Sequence, residues 1–141
     1  MKKMVFVCLG NICRSPMAEF VMKSMTSELE VASRATSSWE HGNPIHPGTQ
    51  AIFKEHKINY DPAKSSQQIS AKDFAYFDYI IAMDESNLKD LKAMVPKNHQ
   101  DKIYLFADRS VPDPWYTGDF DETYELIVKG CQAWLSKLEM K

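Results

Sequence analysis

The apolar positions of this chain fall into two kinds of run. Met4-Val5-Phe6-Val7-Cys8-Leu9 is continuous rather than alternating, the pattern of a parallel strand covered on both faces. Tyr79-Ile80-Ile81-Ala82-Met83 and Ile103-Tyr104-Leu105-Phe106 repeat it, and Val31 to Thr36 reads as a weaker edge strand. Between these runs the spacing becomes helical. Met17, Phe20, Val21 and Met25 share one face, with Pro16 placed where a first helical turn tolerates proline. Phe120, Tyr124, Ile127, Val128, Cys131, Trp134, Leu135 and Leu138 share another, and Asp119, Asp121 and Glu122 at its start suit the positive end of a helix dipole. Leu88, Leu91 and Val95 mark a shorter helix, and Pro47 to His56 a fourth.

Alternating strands and helices predict one α/β domain over residues 1–141, a four-stranded parallel sheet flanked by helices in three layers and doubly wound like a flavodoxin. Ligands of such sheets bind beyond the carboxyl ends of the strands, which directs attention to the loop from Cys8 to Ser15. Trp39 to Pro47 and Ala107 to Asp119 are the other long loops, and loops of that length in compact domains are often functional.

Composition narrows the function classes. With 44% hydrophobic and 26% charged residues and a net charge of −2, the chain is neither a disordered tail nor a strongly basic nucleic-acid binder. Three cysteines make no secreted disulfide framework and point to a reducing, cytoplasmic setting. The first apolar run stops at Gly10, too soon for a signal peptide, and no run reaches the ~18 residues of a membrane span. A single chain with no nucleic-acid or membrane partner is the expectation.

The chemistry concentrates in Cys8-Leu9-Gly10-Asn11-Ile12-Cys13-Arg14-Ser15-Pro16, which leads from strand into helix. A helix N-terminus presents unpaired N–H groups and partial positive charge, and a tight loop before it aims more of them at one point. Gly10 and Asn11 are the residue types that most readily take positive φ, as a backbone curled around an anion requires. Neither G-x-G-x-x-G nor G-x-x-x-x-G-K-[ST] is present, so the anion is not read as a nucleotide phosphate. Cys8 and Arg14, six positions apart, turn a binding loop toward catalysis. A thiol facing a helix N-terminus and a guanidinium loses its proton more easily, while the arginine fork matches two phosphate oxygens. The alternative, a cysteine that merely ends a buried strand, is weakened by the strand-to-helix context, Gly10, Asn11 and the Ser-Pro.

This loop, with Asp84-Glu85-Ser86-Asn87 after the middle strand and Asp113-Pro114-Trp115-Tyr116 before the last helix, resembles the low-molecular-weight protein tyrosine phosphatases over nearly the whole chain. The resemblance implies hydrolysis of phosphotyrosine in proteins through a phosphocysteine on Cys8, with no metal or cofactor and with phosphate or vanadate as competitive inhibitors. The amides of Leu9, Gly10, Asn11, Ile12 and Cys13 would hold the phosphoryl group together with Arg14. Asp113 would protonate the tyrosine leaving group, shielded by Trp115 and Tyr116, and later activate water. Trp39, Trp115 and Tyr116 would wall a pocket deep enough for phosphotyrosine but too deep for phosphoserine. Ser15 would donate to the Cys8 sulfur, and Ser33 and Asp84 would hold the loop through the Asn11 side chain and the loop backbone. Where the family often has histidine and arginine, this chain has Lys64-Ser65-Ser66-Gln67-Gln68, which leaves open whether that stretch supports the loop. His41, His46, His56 and His99 show no zinc-type spacing and read as surface or satisfied histidines.

Three other readings compete. Protein arginine phosphatases resemble this chain but carry threonine at the position of Ile12. Arsenate reductases on the same fold call for a late redox cysteine pair, and here only Cys131 is available. A non-catalytic phosphate-binding module would need neither Cys8 nor Asp113. Cys13 would stand near enough to trap oxidised Cys8 as a reversible disulfide.

Overall fold

The computed structural model describes residues 1–138, so the last three positions of the expected domain lie outside the described residues. Four strands, β1 (Lys2–Cys8), β2 (Leu29–Ala35), β3 (Tyr79–Ala82) and β4 (Ile103–Leu105), form one all-parallel sheet in the order β2-β1-β3-β4. β1 is central, and its register pairs Cys8 with Ala35 and Val7 with Ala82. The continuous apolar run is explained by the two faces of the sheet. Met4, Phe6 and Cys8 enter one core with α1 (Arg14–Met25), α2 (Pro47–Glu55) and α6 (Phe120–Lys137). Val5 and Val7 enter another with α3 (Ala71–Tyr76) and α4 (Glu85–Met94).

Two elements were not expected from the apolar spacing. α3 has six residues, is held by a capping box between Ser70 and Asp73, and buries only Phe74 of its own apolar residues, too little to show a period. α5 (Pro114–Thr117) is a single turn inside the Ala107–Asp119 loop, capped by the Asp113 side chain on the Trp115 N–H at 3.1 Å. A 3₁₀ turn at Lys97–Lys102 leads into β4. Within the described residues no helix is long and apolar enough to cross a membrane.

The carboxyl ends of all four strands open at one edge. From β1 comes Cys8 to Arg14, from β2 the segment to Glu40, from β3 Asp84, and from β4 the loop to Asp113.

Candidate active site

Cys8 is the last residue of β1, with its side chain buried on the α1 side of the sheet. The chain then turns through Asn11, whose φ is +56°, and enters α1 at Arg14. Gly10 does not have positive φ, contrary to expectation; a Cβ there would lie 3.3 Å from Glu40 Cγ, so the glycine admits a neighbouring side chain instead.

The loop carbonyls are taken by donors outside it. Those of Cys8 and Leu9 accept the N–H groups of Thr36 (2.9 Å) and Ser37 (3.2 Å), and that of Ile12 accepts the His46 N–H (2.8 Å). The Gly10 carbonyl accepts from Ser66 Oγ at 2.7 Å and that of Cys13 from Thr49 Oγ1 at 3.2 Å. With the carbonyls turned outward, the N–H groups of the loop and of the first turn of α1 are the polar groups left to face an anion. The Asn11 N–H donates to Cys8 Sγ at 3.2 Å, and Ser15 Oγ lies 3.0 Å from that sulfur.

Arg14 is almost fully buried. Its Nη1 donates to Asp84 Oδ2 (2.6 Å) and the Val111 carbonyl (3.0 Å), and its Nη2 donates to Asp113 Oδ2 (3.4 Å). Burial alone lowers the pKa of this guanidinium, but the charges of Cys8, Asp84 and Asp113 outweigh it, so the net direction is upward. Asp84 therefore supports the site through Arg14 rather than through Asn11, while its Oδ1 caps α4 at the Asn87 N–H (2.7 Å). Burial, with the neighbouring Cys8 next in weight, pushes the Cys13 thiol far above its ordinary range and keeps it protonated. Cys131, fully buried on α6, is raised by burial alone.

A pocket of about 140 Å³ has Cys8, Leu9, Gly10, Ile12, Cys13 and Arg14 as its floor and Trp39, Asp113, Trp115 and Tyr116 around its mouth. Trp39, Trp115 and Tyr116 are 79%, 56% and 78% exposed, which places them on a rim rather than in the core. Asn11 and Ser15 do not line it; their side chains lie behind the loop, where Asn11 Nδ2 donates to Ser15 Oγ (2.8 Å) and Ser33 Oγ (3.0 Å).

The Lys64–Gln68 stretch does hold the loop. Ser66 bonds the Gly10 carbonyl, and the Gln67 N–H donates to Asn11 Oδ1 at 3.1 Å. Gln68 forms a parallel bridge with Ala35.

Ser37 and Glu40, which also line the pocket, were missed by the sequence reading, whereas His46, read as a surface or satisfied histidine, is a satisfied one. The His46 ring caps α2 by accepting the Gly48 N–H (2.9 Å), stacks on Phe120 and meets Trp115 edge-on. Its place before Pro47-Gly48 is the N-cap position of α2. Among the described residues no group of three His, Cys, Asp or Glu side chains is arranged to hold a metal ion.

A buried cysteine and arginine meet where a loop turns into a helix N-terminus at the carboxyl edge of a parallel sheet, an arrangement chemically suited to an anion beside a thiol. The chain belongs to the low molecular weight phosphotyrosine protein phosphatase family, whose model matches residues 3–141. It is 64% identical to the low molecular weight protein tyrosine phosphatase SP-PTP from Streptococcus pyogenes, whose crystal structure superposes with a TM-score of 0.96 over 98% of this chain and 93% of that one. It is 44% identical over 136 residues to the low molecular weight protein-tyrosine-phosphatase PtpA of Staphylococcus saprophyticus, covering 89% of this chain and 86% of that one. The crystal structure of DARP, a drosophila arginine phosphatase, is 32% identical with a TM-score of 0.89, covering 100% of this chain and 99% of that one.

Proposed function

We propose that this protein-tyrosine phosphatase works without a cofactor, acting as a single chain in the cytoplasm on phosphotyrosine in proteins through a phosphocysteine on Cys8. The observation that carries the reading is the convergence of Cys8 Sγ, the Arg14 guanidinium and the Asp113 carboxyl on one small pocket. The loop amides and Arg14 hold the three equatorial oxygens, on which charge rests in the loose transition state. The Cys8 sulfur attacks phosphorus, the tyrosyl oxygen leaves, and Asp113 gives that oxygen its proton. A phosphoryl group that takes the Arg14 Nη2 bond releases Asp113 Oδ2 for this role. Asp113 then removes a proton from water, which attacks the phosphocysteine and restores the thiolate while phosphate leaves. Phosphate and vanadate compete for the same amides and guanidinium.

The rim favours a long substrate. Trp39, Trp115 and Tyr116 offer faces for an aromatic ring whose phosphate reaches the floor, a depth that phosphoserine does not span. Arginine phosphatase activity is the second reading, favoured by the likeness to the drosophila enzyme. Ile12 supports the tyrosine reading, since an aliphatic side chain in the pocket offers a guanidinium no acceptor. An arsenate reductase would need further redox cysteines, and Cys131 is fully buried against the Ala18 carbonyl. Cys13 is the candidate partner of oxidised Cys8, slowed by its reluctance to ionise.

Rates on phosphotyrosine, phosphoarginine and phosphoserine peptides, measured without added metal and with Cys8→Ser as control, test this assignment. Turnover of phosphotyrosine alone is expected, with none in the variant. Preference for phosphoarginine, or turnover by Cys8→Ser, would overturn it.

A further inference from the structure

A second concavity, of about 660 Å³, shares no lining residue with the active-site pocket and runs between α6 and the chain that leaves β4. Leu126, Lys129, Gly130, Ala133, Trp134 and Lys137 form one wall, spaced as a single face of α6. The other wall is the stretch from Leu105, the last residue of β4, to Val111. Apart from the Val111 carbonyl, which accepts from Arg14, nothing in it touches the site described above.

The buried lining of this groove is apolar, from Phe106, Val111, Gly130 and Trp134. Its exposed lining is basic, with Arg109, Lys129 and Lys137 against Asp108 as the one carboxylate among the described residues. Three cations to one anion reverse the sign of the whole chain, whose net charge is −2. Among the described residues none of the three cations forms an ion pair, and Lys137 Nζ instead lies 4.6 Å from the centre of the Trp134 ring. Cations without counter-charges along an apolar groove are complementary to an acidic chain that also carries apolar side chains.

The backbone beside the groove favours an extended occupant. β4 ends the sheet and is paired by β3 on one side only, so its other side is an open edge among the described residues. A segment laid along that edge can bond to the strand while its alternate side chains turn toward the groove. Nucleic acid suits the groove less, since bases stack on exposed aromatic faces. Phe106 and Trp134 are each 3% exposed, and Trp134 Nε1 is already bonded to the Phe106 carbonyl at 2.8 Å. A flat bilayer does not enter a concave groove.

Groove and active site are neighbours along one stretch of chain. Ala107 to Val111 line the groove, and two residues later Asp113 lines the pocket. The stretch is held by the Val111 carbonyl, which accepts from Arg14 Nη1 at 3.0 Å, and by Ser110 Oγ, which accepts the Glu85 N–H at 3.1 Å.

We infer that the groove between β4 and α6 docks an extended acidic segment of the phosphoprotein substrate, separately from the phosphotyrosine held over Cys8. This rests on the reading of phosphoproteins as substrates, so binding is measured apart from turnover.

The probe is a fluorescein-labelled peptide of about ten alternating glutamate and leucine residues, long enough to follow an extended path, read by anisotropy against the whole protein. It should bind, more weakly as salt shortens the screening length, while a lysine–leucine peptide of the same length should not. Lys129→Glu/Lys137→Glu should abolish binding, and Lys129→Arg/Lys137→Arg should keep it. The same segment is then joined to a phosphotyrosine peptide, on either side and through flexible linkers of several lengths. A short linker gives an effective concentration of about 1 mM, so a segment with a Kd of about 0.1 mM should lower KM about tenfold in the best arrangement. kcat should not change, because docking holds ground state and transition state equally. That gain should vanish in Lys129→Glu/Lys137→Glu, whose kcat/KM for a small aryl phosphate should match the parent's. Equal binding by the parent and the charge-reversed protein would overturn the inference, as would a KM that no joined segment lowers. Tighter binding of single-stranded RNA, or of vesicles rich in phosphatidylserine, than of the acidic peptide would also overturn it. A parent protein that binds the segment in the groove but hydrolyses no phosphotyrosine would uphold the docking site while refuting the proposed function.

Discussion

At the scale of single residues, the proposed function assigns the proton transfers to Asp113 and the phosphoryl transfer to Cys8. It caps α5 through one oxygen and touches Arg14 through the other, so one rotamer serves both fold and site. Replacing it by alanine should slow phosphotyrosine hydrolysis by ~10²–10⁴-fold, the usual range for a lost general acid. An aryl phosphate whose phenol leaves without a proton should lose much less. Steady-state rates on the two substrates check this, and equal losses would remove Asp113 as the acid. Cys8, Arg14 and Asp113, singled out in the sequence because the proposed chemistry needs those residue types at those places, are brought by the fold to one pocket. Asn11 was legible for a conformational reason, its tolerance of positive φ. Glu19 and Glu40 were not. A glutamate one turn into an amphipathic helix looks like a solvated charge until β2 and Lys64 close over it, and Glu40 enters the pocket only because Gly10 leaves room.

Elements succeed or fail as predictions according to how much apolar surface they bury within their own length. β1 and α6 declared themselves through long runs, whereas α3 and α5 are fixed by caps and by their neighbours. α6 also shows tertiary packing overriding propensity. Gly130 sits inside this helix, where alanine would ordinarily be better by about 1 kcal/mol. A Cβ there would lie 2.2 Å from the Phe106 ring, which packs edge-on against Phe6 at 5.7 Å in the core. Overpacking of that kind costs ~1–3 kcal/mol, so the clash outweighs the propensity. Gly130→Ala should therefore lower the thermal midpoint by a few degrees in calorimetry. A rise would mean that Phe106 yields freely and that the glycine is not required by packing.

For the whole molecule, the order β2-β1-β3-β4 decides where function lies. β1 sends the chain first to one side of the sheet and then to the other, and the loops diverging from that switch leave a crevice that Cys8 to Arg14 fills. That much followed from the alternation of strands and helices. The closing of the mouth by segments from β2 and β4 did not follow from that alternation, because the convergence of loops distant in sequence depends on tertiary geometry; Trp39, Trp115 and Tyr116 were named as its walls only through the family resemblance. Because the site is preformed and joins segments from all four strand ends, anion binding should stabilise the entire domain. At phosphate or vanadate concentrations a hundred times Kd the gain is about 2.7 kcal/mol, which corresponds to a rise of roughly 5–10 °C in Tm. Differential scanning fluorimetry should show this rise and its loss in Arg14→Met. An equal rise in the variant would place the anion elsewhere.

The central claim is a covalent bond from phosphorus to the Cys8 sulfur. Its most direct test is rapid quenching of Asp113→Ala during turnover of an aryl phosphate with a good leaving group, followed by mass spectrometry of the Cys8-containing peptide. With water activation impaired, a phosphoryl group should accumulate on Cys8 within the first turnover and be absent from Cys13. Continued turnover with no phosphoryl adduct on Cys8, or an adduct on another residue, would contradict the account.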